Sequence, residues 1–278
     1  MPVTNPSAKV PLLTTLLLVL VLAGCASGLQ IPSAGSLIGD GPPDMLNAKL
    51  KVPSGSGPFP AVVLMHGCSG WHGSNINDWA DWYVERGWVA LALDSFGTRG
   101  ISQICAGEHL GYVQRGLDAY GAFDYLAAQP NVDVQRIIVM GFSNGGSTVI
   151  YTMGDQILRA YRQPGQKRFH AGVAFYPGRC NLSKPYGPVT IVTGELDDWT
   201  PVVRCNMDLA YNGFPNEQVS FHEIPGAYHA FDMFRWKHKP VKARQYLGHH
   251  IEPNRLATDQ SRDIVAEFLQ HHLATTED

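Results

Sequence analysis

The sequence predicts an α/β fold in which a mostly parallel central sheet carries helices on both faces, and three observations predict it. Apolar, β-branched runs alternate along the chain with helical patterns, the order that buries a parallel sheet between helix layers. One such run, 135–141, leads into Gly141-Phe-Ser-Asn-Gly-Gly146, so a serine falls among glycines where a strand must turn sharply into a helix. Two later strand patterns each end in a short turn, one holding Asp197 and Asp198 and the other His229.

Taken in order, strands are expected at 47–52 and at 60–66, the latter around the unbroken apolar run Ala61-Val-Val-Leu-Met65. A helix at 76–86, a strand at 88–94 and a helix at 110–129 follow, and Ile137-Ile-Val-Met140 then marks the strand 135–141. Helix-forming residues after Ser143 predict a helix over 145–160, and the next strand covers 170–176. Pro188-Val-Thr-Ile-Val-Thr193 predicts a strand over 188–193, and Pro201 suits the first turn of a helix at 201–211. Val219-Ser-Phe-His-Glu-Ile224 alternates with the period of a strand, 218–224. The last helix, 256–273, gathers Ile264, Val265, Phe268 and Leu269 on one face. The stretch 232–254, crowded with Lys, Arg, His and aromatic residues, is an insertion, either a solvated loop or part of a substrate rim. No internal repeat divides residues 45–278, which read as one domain.

A serine hydroxyl is a weak nucleophile at neutral pH and needs a histidine to take its proton and a carboxylate to orient that histidine. Three strand exits supply Ser143, then Asp197 or Asp198, then His229, and the aspartate not used is expected to cap the helix that follows. His222 lies within a strand pattern and reads as structural, His66 as support for its own loop, and His249, His250, His271 and His272 as surface residues. Acyl transfer also needs donors for a developing oxyanion, each worth roughly 3 kcal/mol. The backbone N–H of Asn144, after the serine, is one candidate, and that of Cys68 in Gly67-Cys-Ser-Gly70 is the other. Ligands of open α/β sheets sit beyond the carboxyl ends of the strands. Trp71, Phe96, Arg99, Trp199 and Tyr228 fall in such loops; the aromatic groups suit an apolar or aromatic moiety, and Arg99 a carboxylate.

These motifs resemble the dienelactone hydrolase family of the α/β-hydrolase fold. The resemblance rests on Val62-Val-Leu-Met-His-Gly-Cys-Ser-Gly70, Leu93-Asp-Ser-Phe-Gly97, the 141–146 turn, Gly194-Glu-Leu-Asp197 with Pro201, and Tyr228-His-Ala-Phe-Asp232. It implies Asp197 as the acid, from the family pattern Gly-x-x-Asp with a proline four residues on, and His229 as the base. Familiar members carry cysteine at the turn and a glutamate at the position of Gly67; Ser143 and Gly67 here point instead to the serine esterases of the superfamily. The implied activity is cleavage of carboxylic esters through an acyl-enzyme, with neither metal nor organic cofactor. An acyltransferase or perhydrolase using the same residues, and a non-catalytic binding lipoprotein, are the alternatives.

Composition narrows the remaining choices. A chain of 278 residues with 45% hydrophobic and 16% charged content can build a substantial core. The net charge of −3 and the lack of a basic stripe argue against a nucleic-acid partner. Lys9 followed by the apolar run Leu12–Leu22 reads as an export signal, too short to span a bilayer comfortably. Leu22-Ala-Gly-Cys25 resembles the bacterial lipobox, which implies cleavage after residue 24, lipidation of Cys25 and a periplasm-facing membrane anchor, with Ala26 favouring the outer membrane. Residues 25–44, rich in Gly, Ser and Pro, read as a flexible tether. Export permits disulfides, and Cys180 with Cys205, both near neighbouring strand exits, is the preferred bond, leaving Cys68 with Cys105. The absence of Cys-x-x-Cys gives no support to a zinc or thioredoxin-like site.

Overall fold

The computed structural model describes residues 28–35, 42–106, 110–155, 167–181, 183–213, 218–236 and 238–273. Its frame is an eight-stranded sheet: β1 (Gln30–Pro32), β2 (Met45–Lys51), β3 (Phe59–Met65), β4 (Val89–Asp94), β5 (Val132–Phe142), β6 (Gly172–Phe175), β7 (Val189–Gly194) and β8 (Val219–Ile224). The spatial order is β1-β2-β4-β3-β5-β6-β7-β8; the first two strands pair antiparallel, and β4 through β8 run parallel. Central strands are buried on both faces, which is why Ala61 to Met65 and Ile137 to Phe142 read as continuous apolar runs. In β2, by contrast, exposed and buried residues alternate at Met45 to Lys49, as in a strand with one face in water.

Alternation across β3 and β5 divides the core. Ala61, Val63, Met65, Ile137 and Val139 pack with residues of α2 (Tyr112–Ala127) and α3 (Asn144–Met153) and with Cys205 of α4 (Val202–Asn212). Val62, Leu64, Ile138 and Met140 pack with α1 (Ser74–Val84) and α5 (Arg255–Leu273). Helices therefore cover both faces, as the alternating pattern predicts.

Among the described residues, seven strands of the sheet and helices α1 to α5 lie where the sequence places them, within a few residues; the part of the third predicted helix beyond residue 155 lies outside the described residues. The exception is β1. Part of the expected tether forms this strand, with Ile31 fully buried and paired to Leu46, so the fold begins before residue 45. Three residues with one apolar side chain carry too little periodicity to announce a strand. The remaining tether residues 25–27 and 36–41, and Cys25 with its expected lipid, lie outside the described residues.

The chain runs outward from β3 to β4 on one side and then returns to β5 on the other. The crevice between the ends of β3 and β5 is thus the point where the strand order reverses, and loops from both strands meet there.

Candidate active site

Ser143 sits at the end of β5 with φ 53° and ψ −116°, a conformation a side-chain-bearing residue adopts only when its surroundings hold it. The surroundings do so: its N–H bonds the Phe175 carbonyl at 2.9 Å, and its own carbonyl accepts the Ser147 N–H at 2.9 Å as α3 begins. The turn is possible because Gly145 packs directly on the end of β3, where a Cβ would collide with the Met65 and His66 carbonyls.

Two other strand exits bring partners to this hydroxyl. His229, after β8, places Nε2 3.1 Å from Ser143 Oγ, and its Nδ1 lies 2.7 Å from Asp197 Oδ2, on the loop after β7. His229 and Asp197 are both 3% exposed. Asp197 is anchored further by N–H groups of Trp199 (2.9 Å) and Thr200 (2.8 Å) and by the Thr200 hydroxyl (2.7 Å). Burial alone would raise this carboxyl, but His229 and the Thr200 hydrogen bonds together outweigh it and hold its pKa below the usual carboxylate range. An ionised Asp197 accepts the Nδ1–H of His229, which leaves Nε2 as a lone pair facing the serine.

Of the two aspartates, Asp197 is the one that meets the His229 ring. Asp198 faces away, accepts the His250 N–H at 3.1 Å and lies 3.7 Å from His249. Neither aspartate caps α4, whose first turn begins at Pro201 with no side-chain cap; Asp197 turns its loop back on itself and Asp198 holds the insertion.

The loop after β3 forms the facing wall. Gly67 approaches the Ser143 turn so closely that a Cβ there would lie 3.5 Å from Ser143 Cβ. The Gly67 carbonyl accepts the Gly70 N–H (3.2 Å) and His66 Nδ1–H (2.8 Å), while His66 Nε2 accepts the Ser95 N–H at 3.2 Å. His66 is buried, and desolvation, reinforced by the Arg115 charge, lowers its pKa well below the usual value, so it is the neutral loop support the sequence predicts. Across a trans peptide the Cys68 N–H lies anti to the Gly67 carbonyl, so pinning that oxygen fixes the direction of the N–H. Cys68 and Cys105 are joined, as are Cys180 and Cys205, with Cα separations of 5.0 and 4.9 Å.

The cleft opens to solvent and is lined by Gly67 to Gly70, Asn75, Phe142, Ser143, Tyr176, Trp199, His229, Met233, Arg244, Tyr246 and Ile251, among others. Of the residues predicted to face substrate, only Trp199 is among them. Arg99 is spent on structure: its guanidinium grips Asp118 at 2.7 and 2.8 Å and Asp44 at 2.8 Å. Phe96 is buried against the His66 ring, 4.4 Å away, Trp71 lines a neighbouring groove with Lys49 and Asn77, and Tyr228 packs on His250 at 4.1 Å. A loop position after a strand says nothing of which way its side chain turns.

The insertion resolves toward the rim. Its hairpin, β9 (Arg244–Tyr246) and β10 (His249–Ile251), turns on Leu247 and Gly248, both at positive φ, and Ile251 bridges His229. Trp199 packs on His249 (5.1 Å) and Tyr246 (5.7 Å), which closes the mouth of the cleft with aromatic surface. Sequence reading missed Tyr176, which edges onto His229 at 4.7 Å, and Asp232, which accepts from the Tyr176 hydroxyl and from Trp79 Nε1 at 2.8 Å. It also missed Thr200, although a threonine three residues after Asp197 is the spacing of a local side-chain turn.

A sheet of this order, with a serine on the turn after β5 and its histidine and aspartate on later strand exits, defines the α/β-hydrolase fold. The chain belongs to the dienelactone hydrolase family, which it matches over residues 46–273. Among solved structures it is similar to esterase 2 of Thermogutta terrifontis with butyrate bound, at 18% identity and a TM-score of 0.62, over 88% of this chain and 94% of that one. The same esterase phosphorylated by paraoxon gives 18% identity and 0.59, over 87% and 93%. Carboxylesterase Cest-2923 of Lactobacillus plantarum gives 15% identity and 0.57, over 82% and 93%. At these identities the likeness is one of fold. A comparison with curated protein sequences finds no match.

Proposed function

We propose that the chain is a serine hydrolase of carboxylic esters with small to medium acyl groups, exported and anchored to the cell envelope through a lipid on Cys25. The observation that carries the reaction is the continuous line from Ser143 Oγ through His229 to Asp197, at 3.1 and 2.7 Å. His229 Nε2 takes the Oγ proton as Oγ attacks the ester carbonyl, and the carbonyl oxygen becomes an oxyanion within reach of the Cys68 and Asn144 N–H groups. Asn144 opens α3, so its N–H has no partner within the helix and is free to donate. The imidazolium then returns the proton to the leaving alkoxide, and the acyl group stays on Oγ. Water, deprotonated by the same ring, releases the acid and restores the serine.

Three further facts support this reading. The cleft walls are mainly apolar and aromatic, as an acyl chain requires, with Asn75 and Arg244 among their polar members. The fold relatives include one esterase seen both with butyrate bound and phosphorylated by paraoxon. The Leu22-Ala-Gly-Cys25 motif and the two disulfides agree with export to an oxidising compartment. The test is Ser143→Ala: turnover of p-nitrophenyl butyrate and labelling by a fluorophosphonate should both vanish with the folded state intact. Retained turnover would exclude the mechanism, and ester products formed with added alcohols in place of the free acid would mark an acyltransferase instead.

A further inference from the structure

Behind the cleft, outside its lining, lies a buried cation with no role in the proton transfers. Arg115, on the sheet-facing side of α2, is fully buried. Its guanidinium donates to the His66 carbonyl at 2.7 Å and to Asn144 Oδ1, and it sits 5.0 Å from the Phe96 ring. Every one of these partners is neutral. Among the described residues Arg115 forms no ion pair, its Nε has no hydrogen-bond partner, and the carboxylate one turn away, Asp118, is held in the two-pronged grip of Arg99. Burial lowers its pKa to about 10, which leaves it charged at neutral pH. A buried guanidinium whose contacts are all neutral, with the Asp118 and Asp94 carboxylates acting on it only through space, is costly, so a purely space-filling role is a poor reason for it here.

Both of its hydrogen bonds end on the segments that carry the oxyanion donors. One carbonyl, His66, immediately precedes the Gly67-Cys68 turn; the other acceptor is the side chain of the residue whose N–H opens α3. The geometry points to Arg115 as a positioning residue for the transition state: its planar fork fixes the spacing of the Cys68 and Asn144 donors, and its buried positive charge favours the negative oxygen of the tetrahedral species over the neutral ester carbonyl. This rests on the esterase reading of the same site. Such an arrangement acts on the transition state more than on bound substrate, so it belongs in kcat rather than KM.

The test compares Arg115→Met, Arg115→Lys, Asn144→Ala and the double variant Arg115→Met/Asn144→Ala. Readouts are kcat and KM for p-nitrophenyl butyrate and inhibition by butylboronic acid, a tetrahedral adduct former, and by butyramide, a ground-state analogue. Arg115→Met should lower kcat by about 30-fold or more with KM within about twofold, the scale of a disturbed oxyanion donor. Boronate affinity should fall in step with kcat while butyramide affinity holds. Arg115→Lys, which keeps the charge and loses the fork, should fall between, and the double variant should lose no more than Arg115→Met alone. Folded Arg115→Met with wild-type kcat, or equal weakening of both inhibitors, would overturn the inference. If Arg115→Met does not fold, Asn144→Ala decides, since it cuts one tie and keeps the backbone donor: unchanged kcat and boronate affinity would overturn the inference. Failure of the esterase reading is separable, because it shows as turnover in Ser143→Ala, whereas an inactive Ser143→Ala beside an unaffected Arg115 series sinks this inference alone.

Discussion

Asp197→Asn is the most discriminating change to the proton path. Three donors, the N–H groups of Trp199 and Thr200 and the Thr200 hydroxyl, surround the carboxylate besides His229, so an isosteric amide keeps its place with Oδ1 on the two backbone donors. The other terminal atom becomes an N–H aimed at His229 Nδ1 across 2.7 Å, where the present partner is a ring N–H. Two donors cannot face each other at that distance. The ring relieves the conflict by moving its proton to Nε2, which then points a hydrogen at Ser143 Oγ where a lone pair is needed. The reactive tautomer becomes a minor form, and the imidazolium formed on attack loses its negative neighbour. A triad that loses its carboxylate in this way slows by about 10³ to 10⁴, or about 4–5.5 kcal/mol in barrier. The assay is the initial rate of p-nitrophenyl butyrate hydrolysis at neutral pH, with thermal unfolding as the control for structure. A variant that melts like the wild type and keeps kcat within about tenfold would refute the claim that Asp197 sets the tautomer of His229.

Two further predictions follow from groups outside the reaction path. Arg99→Ala should leave KM for neutral and carboxylate-bearing esters unchanged and cost roughly 3–5 kcal/mol in urea unfolding, because Asp118, fully buried, loses its partner; a raised KM for the anionic ester would restore Arg99 to the pocket. Asp232 is fully buried, and desolvation outweighs its bonds to Tyr176 and Trp79, lifting its pKa from the ordinary carboxylate range to about 6. The folded state therefore holds this proton more tightly than the unfolded chain, so its contribution is full below about pH 4 and is lost as pH rises through about 6. Asp232→Asn should flatten stability over that window, as read by unfolding midpoints at several pH values, and an unchanged profile would contradict the buried-carboxyl account.

The site was legible where chemistry is tied to chain direction. Strand exits are fixed by apolar runs, and the turns that follow must carry whatever meets the cleft, so the approach of His229 to Ser143 and the cysteine pairing could be named in advance. Asp197 emerged from local pattern and resemblance, and its geometry follows from the Asp197-x-x-Thr200 turn. Orientation was not legible. Arg99 and Trp199 both follow strands, yet one is drawn to buried Asp118 and the other to the rim hairpin, because each side chain goes to the nearest partner that the packed fold supplies. Arg115, Tyr176 and Asp232 read as ordinary helix, strand and loop residues until the sheet order sets them against the site.

The sequence by itself determined the layers, the seven long strands, the five helices and the elbow, since hydrophobic period and glycine placement are local properties that survive without coordinates. Only the tertiary structure decided that a three-residue strand at Gln30–Pro32 joins the sheet, that the 244–251 hairpin walls the cleft, and that a buried guanidinium ties its two sides together. Those outcomes depend on contacts between segments far apart in the chain, and the strength of such a contact is set by how closely folding brings the groups together and how much water it removes from between them.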